Sequence, residues 1–128
     1  MPVRVLIVED QPIFAETLRV FLDRDERIEI IGVAANGADA IELATRNHAD
    51  VVLMDIAMPQ MDGIEATRRL LEVEPDARVL VLSGIDPDSV RNEVRRAGAV
   101  GLILKGSVAN ELVDEILAAA GASGPTLL

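Results

Sequence analysis

Five short runs of the chain are almost continuously apolar and rich in leucine or β-branched residues: Val3 to Val8, Ile28 to Ala34, Val51 to Met54, Val79 to Leu82 and Gly101 to Leu104. Strands buried on both faces read this way, whereas strands with one wet face alternate, so the runs predict a parallel sheet covered by helices. Between and after them the period lengthens to that of a helix. Phe14, Leu18 and Leu22 form one stripe beside Phe21, and Ile41 with Ala44 forms a weaker one. Ile64, Thr67 and Leu71 with Leu70 form a third, Val90, Val94 and Ala97 a fourth, and Leu112, Ile116 and Ala119 a fifth, flanked by Val113 and Leu117. Pro12 suits a first helical turn, Asn36-Gly37 reads as a turn pair, Pro87 after Asp86 as a helix start, and Gly98 as a helix end. The order is β then α, five times over, which predicts an α/β fold: a doubly wound five-stranded parallel sheet with five helices. The domain is expected over residues 1–120. Residues 121–128 break the helical period and read as a linker or C-terminal tail.

Composition narrows the chemistry. A chain of 128 residues buries roughly two thirds of the surface it exposes when unfolded, so it folds as one domain without disulfides or a structural metal. With no Cys, zinc thiolates, iron–sulfur clusters and redox dithiols are excluded. The net charge of −10 argues against nucleic-acid binding by this domain itself, because that mode neutralises phosphates with Lys and Arg. Only two Phe and no Tyr or Trp leave few platforms for stacking bases. No apolar run approaches the length of a membrane span, and the first strand follows Met1 too closely for a signal peptide, so a soluble, cytoplasmic protein is expected.

In an open parallel sheet ligands bind beyond the carboxyl ends of the strands. Four of the five runs close on a polar residue there: the first on Glu9-Asp10, the third on Asp55, the fourth on Ser83, the fifth on Lys105. Three carboxylates at one edge repel each other and call for a counter-cation. With no His or Cys beside them, a hard divalent ion fits, and Mg²⁺ is the natural choice, since it takes oxygen ligands and is usually held by one or two carboxylates together with a phosphate. Lys105 is the only lysine; the other eleven cationic residues are Arg. A flexible ammonium at a strand end can pair with a carboxylate at rest and with a phosphoryl oxygen when one arrives. Asp55 as nucleophile, with Mg²⁺, Lys105 and Ser83 as charge stabilisers, makes up the set that phosphoryl transfer requires.

Arranged in this order, these segments resemble the receiver domain of two-component response regulators over residues 3–120. The matching pieces are Leu6 to Asp10, Met54 to Gly63, Val81 to Gly84 and Gly98 to Lys105. The resemblance implies the flavodoxin-like strand order 2-1-3-4-5, and a signalling domain that catalyses only its own phosphorylation and dephosphorylation. It implies that Asp55 accepts a phosphoryl group from a sensor histidine kinase. Asp10, with Glu9 largely through water, would hold Mg²⁺ alongside Asp55 and the backbone carbonyl of Ala57. Lys105 and Ser83 would contact the phosphoryl oxygens, and Pro59 and Gly63 would shape the loop after Asp55. Two positions depart from the family pattern: Leu102 stands where Tyr or Phe usually serves as a switch, and Gly106 replaces the common Pro after the lysine. The Met54–Gly63 segment, the lysine without proline and the ending Gly-Ala-Ser-Gly-Pro-Thr-Leu-Leu resemble the NarL/LuxR-type subfamily, which implies transcription regulation through a DNA-binding domain outside this chain. A homodimer formed on phosphorylation is the expected output, through the fourth and fifth helices or the first and fifth.

Plainer readings exist for each residue alone. Glu9-Asp10 can cap the next helix, Ser83 can cap a helix near Pro87, Lys105 can snorkel, Leu102 can be core, and His48 can be a solvated loop residue. Arg68-Arg69 and Arg95-Arg96 read as solvated faces paired with Glu72, Glu74 and Glu93. A haloacid-dehalogenase-type phosphatase needs an acid two residues after the nucleophile, where this chain has Ala57. A P-loop nucleotide binder is met only by the glycine spacings Gly32/Gly37 and Gly101/Gly106, each followed by Ala38 or Ser107 instead of lysine. A receiver-like interaction module that is never phosphorylated is the third alternative.

Overall fold

The computed structural model describes residues 2–84 and 86–121. Elements alternate as expected: β1 (Val3–Val8), α1 (Pro12–Asp23), β2 (Ile28–Ala34), α2 (Gly37–Asn47), β3 (Val51–Asp55), α3 (Gly63–Val73), β4 (Arg78–Ser83), α4 (Arg91–Ala97), β5 (Gly101–Leu104) and α5 (Val108–Ala120). β3 and β4 each run into the polar residue that closes the apolar stretch, Asp55 and Ser83. The expected linker begins at Gly121, which closes α5; residues 122–128 lie outside the described part.

All strand pairs are parallel, in the order β2-β1-β3-β4-β5. β1, β3 and β4 carry the longest buried runs because helices cover both faces. β2 lies at an edge and exposes Glu29 and Val33 despite its apolar sequence. On one face Leu18 and Leu22 of α1 and Leu112, Ile116 and Ala119 of α5 pack on Val5, Ile7, Leu53, Leu80, Leu82 and Ile103. On the other, Ala40 and Ala44 of α2, Ala66 and Leu70 of α3 and Val94 of α4 pack on Leu6, Val8, Val52, Met54, Val79 and Val81. Strand alternation sends neighbouring residues to opposite layers, which is why continuous apolar runs were required.

Several local expectations change. Asn36-Gly37 is no free turn: Asn36 is the N-cap of α2, its side chain accepting the Asp39 N–H at 2.9 Å. Pro87 opens a single 3₁₀ turn, Pro87–Ser89, and α4 begins only at Arg91. Gly98 ends α4 as expected, with φ of 103°. His48 is exposed but occupies the left-handed C-cap of α2, with φ of 53°. Phe14 and Phe21 are only partly buried, with Ala15 filling the tight approach of α1 instead. Leu102 is half-buried against the α2–α4 layer. Arg68 and Arg69 both pair with Glu65, one turn earlier, and Arg95 bonds Asn92.

Candidate functional site

The strand order reverses direction between β1 and β3, and the crevice at that switch point opens over the carboxyl ends of both strands. Register does the assembling. Val8 pairs with Met54, so the residues that follow each, Glu9 and Asp55, become neighbours. Asp55 pairs with Leu82 and Ser83 with Leu104, which brings Ser83 and Lys105 to the same edge.

Glu9, Asp10 and Asp55 each present a carboxylate oxygen within 4.8 Å of the others. Glu9 is 2% exposed, Asp55 1% and Ser83 fully buried. Lys105 Nζ reaches Glu9 Oε1 at 3.0 Å and Asp55 Oδ1 at 3.1 Å, so the lone ammonium sits between two buried acids. The alternative that Glu9 or Asp10 caps α1 fails here. Gln11, not Glu9 or Asp10, is the N-cap of α1, and Glu9 Oε2 accepts the Gln11 N–H at 3.1 Å. The turn at Pro87 is held by Asp86, whose side chain accepts the Asp88 N–H and whose carbonyl accepts the Ser89 hydroxyl.

Burial pushes the Glu9 carboxyl up to about 7, reinforced by its hydrogen bond to Asp55 and opposed by the Gln11 N–H and Lys105. Burial pulls the Lys105 ammonium down, but its bonds to Glu9 and Asp55 more than offset this and hold its pKa above the ordinary lysine range. The cluster therefore holds more negative charge than one ammonium balances. Asp10 Oδ1 is buried and has no hydrogen-bond partner in the structure. An orphaned buried oxygen beside two further carboxylates fits a hard divalent cation better than it fits a purely structural role.

The loop after Asp55 is built to keep the edge clear. Ala57 is exposed, and its N–H donates to Asp55 Oδ1 at 3.2 Å. Met61 N–H donates to the Pro59 carbonyl across Gln60, whose φ of 69° turns the chain sharply. Gly63 N–H then returns to the Ile56 carbonyl at 3.0 Å. A Cβ on Gly63 would lie 2.2 Å from the Asp55 carbonyl oxygen and 2.7 Å from Ile56 Cα. Asp62 caps α3, accepting the Glu65 N–H at 2.9 Å, and locks the loop's far end.

One contact escapes sequence reasoning. The Lys105 ammonium lies over the Phe14 ring, 4.7 Å from its centroid. Phe14 sits on the stripe of α1 and reads as core, so its periodicity gives no sign of a second role.

Residues 5–117 match the response regulator receiver domain family. The chain is 37% identical over 118 residues to the transcriptional regulatory protein YxjL of Bacillus subtilis, covering 92% of this chain and 54% of that protein. It is 38% identical over 117 residues to the transcriptional regulatory protein LiaR of the same organism, covering 91% and 56%. The chain thus spans about half the length of these curated relatives. Among solved structures, the receiver domain of the response regulator NarL from Mycobacterium tuberculosis superposes with a TM-score of 0.88 at 34% identity, over 94% of this chain and 98% of that one. A LuxR-family response regulator from Aurantimonas gives 0.89 at 31% identity, over 94% and 86%. The order of the strands, the polar residues that end them and relatives matched along nearly the whole chain point the same way: this protein belongs to the response regulator receiver domain family.

Proposed function

We propose that Asp55 accepts a phosphoryl group from the phosphohistidine of a sensor histidine kinase and that this modification switches a transcriptional output. The observation that carries the reading is the convergence of two further carboxylates and one ammonium on a single buried aspartate at a strand end. A carboxylate oxygen of Asp55 attacks phosphorus; the new O–P bond forms as the N–P bond breaks, and the electron pair leaves with the imidazole. Glu9, Asp10, Asp55 and the Ala57 carbonyl are the groups that would hold Mg²⁺, which when bound supplies positive charge to the phosphoryl oxygens. Lys105 neutralises a further oxygen, and the Ser83 hydroxyl donates to another. The Ala57 N–H fixes the plane of the Asp55 carboxylate. Hydrolysis of the acyl phosphate by water restores Asp55.

The kinase would dock beside this edge. Ile13, 84% exposed in the first turn of α1, begins an apolar groove that continues through Val20 and Phe21. The receiver unit is residues 1–120, with 121–128 as its linker. The output is a C-terminal DNA-binding domain beyond these residues, in a cytoplasmic regulator, as the relatives' names and their greater length suggest. No helix among the described residues is long and apolar enough to cross a membrane. With Leu102 in place of an aromatic switch, Ser83 and the loop after β4 carry the signal to α4 and a homodimer surface. Val113 and Leu117 of α5 are only partly buried and offer part of that surface.

Mass spectrometry after treatment with a small phosphodonor and Mg²⁺ tests the reading: one added phosphoryl group is expected. An unlabelled protein would favour an interaction module that is never phosphorylated. Lys105→Ala should keep the fold and lose the change in sedimentation and amide shifts that beryllofluoride with Mg²⁺ causes in the parent. A mutant that responds like the parent removes Lys105 from the mechanism.

The pH dependence follows from Glu9. Its pKa is raised in the folded state, so its contribution to stability is fully present below about 4.5 and is lost as pH rises through about 7. Above that pH Glu9 adds its charge to the cluster and a divalent cation offsets the repulsion; below it a proton already does so. The rise in melting temperature on adding Mg²⁺ should therefore be larger at pH 8 than at pH 5.5. Equal rises at both would show that Glu9 does not titrate with the metal.

A further inference from the structure

We propose that Phe14 is a positioning residue for Lys105, its ring face holding the ammonium over the acidic edge before and after Asp55 is modified. This rests on the phosphoacceptor reading and assigns a role to a residue outside the strand-end set. Lys105 follows an edge strand on a single 3₁₀ turn, on a four-carbon stem that is 21% exposed, so nothing in its own element fixes the ammonium. Three groups from other elements do: Glu9 at 3.0 Å, Asp55 at 3.1 Å and the Phe14 ring centroid at 4.7 Å. The separation from the ring lies within cation–π range.

The three restraints differ in kind. The hold from Asp55 changes when its oxygen is esterified, and Glu9 is shared with the Gln11 N–H. The ring does not react, so it restrains the ammonium both before and after Asp55 is modified. It also covers one side of the ammonium with an apolar surface that accepts N–H groups far more weakly than a carboxylate does. The chain's only other aromatic, Phe21, lies two helical turns further along α1, and position 102 is Leu. Phe14 also packs against the α1–α5 core, so volume and ring must be separated experimentally.

Lys105 is the only lysine, so protein carrying ¹³C,¹⁵N-lysine gives one side-chain signal. In the parent and in Phe14→Tyr the ε-methylene protons should be displaced upfield by the ring current. In Phe14→Met, which nearly keeps the volume, and in Phe14→Leu they should return toward the position of free lysine. Labelling by a small phosphodonor with Mg²⁺ should slow about two- to fivefold in the same two variants, the exposed cation–π range expressed as a rate ratio. Phe14→Tyr should restore the parent rate. Should Phe14→Leu prove unfolded, Phe14→Met carries the comparison. An unchanged lysine signal in Phe14→Met, or a shifted signal with the parent rate, overturns the assignment. A parent that shows the ring-current shift but takes no label instead defeats the phosphoacceptor reading, and with it the effect of Phe14 on the labelling rate.

Discussion

Asp55→Asn protein treated with a small phosphodonor and Mg²⁺ should gain no phosphoryl group while the parent gains one, and it should remain folded. The amide has nearly the volume of the carboxylate, so the 1%-exposed position stays filled, and its oxygen can still accept the Ala57 N–H. Lys105 keeps Glu9 as a partner. What disappears is the anionic nucleophile, and Glu9 does not replace it, because it is held by Lys105 and the Gln11 N–H. A second effect follows at Glu9: the hydrogen bond and the charge of Asp55 both raise its pKa, so the Asn variant should titrate Glu9 lower than the parent. Intact-mass measurement and carboxyl chemical shifts against pH check the two parts. A variant that labels as well as the parent would move the phosphoacceptor elsewhere.

Gly63→Ala should be the most damaging single-methyl substitution in the loop that serves the site. The added carbon would meet backbone, 2.2 Å from the Asp55 carbonyl oxygen and 2.8 Å from its carbon, and backbone cannot swing aside as a side chain can. Relief requires α3 to move away from β3, which breaks the Gly63 N–H to Ile56 bond. Overpacking of this kind costs about 3 kcal/mol, or roughly 10 °C in melting temperature for a domain of this size. Because the displaced backbone carries Asp55, labelling by a small phosphodonor should fall by about 100-fold. Gly37→Ala is the control: there the new carbon first meets the flexible end of Met61, at 2.8 Å from Sδ, and the loss should be milder. If both variants melt and label alike, the close approach at Gly63 does not shape the site.

The difference between these glycines shows where sequence reasoning stops. Both lie at helix starts, and both belong to glycine-containing segments that sequence reading singles out. Gly63 is tied to the loop after Asp55 by resemblance, but what its Cα touches follows from the packing of α3 against β3. Arg68 and Arg69 teach the same lesson at the surface. Glu65, Glu72 and Glu74 are all near along the helix, and Glu65 is the partner of both arginines, which spacing alone does not select. At Asn36, the local signal was correct in placement and different in kind, because the same side chain that favours turns also caps helices.

By itself the amino-acid sequence determined the alternation of strands and helices, the parallel sheet, and the polar residues that close four of its strands, Glu9-Asp10, Asp55, Ser83 and Lys105. These are properties of local period and of position along one element, and each is written in neighbouring residues. Only the tertiary structure decided that Lys105 stands between Glu9 and Asp55, that Asp10 Oδ1 is left buried and unpaired, and that the ring of Phe14 faces the ammonium. Glu9 and Lys105 are 96 residues apart. Their meeting depends on the register of β1 with β3 and of β4 with β5, and on the side of the sheet to which α1 packs. A hydrophobic period reports which face of an element is buried, and carries no record of which element from elsewhere in the chain will lie against it.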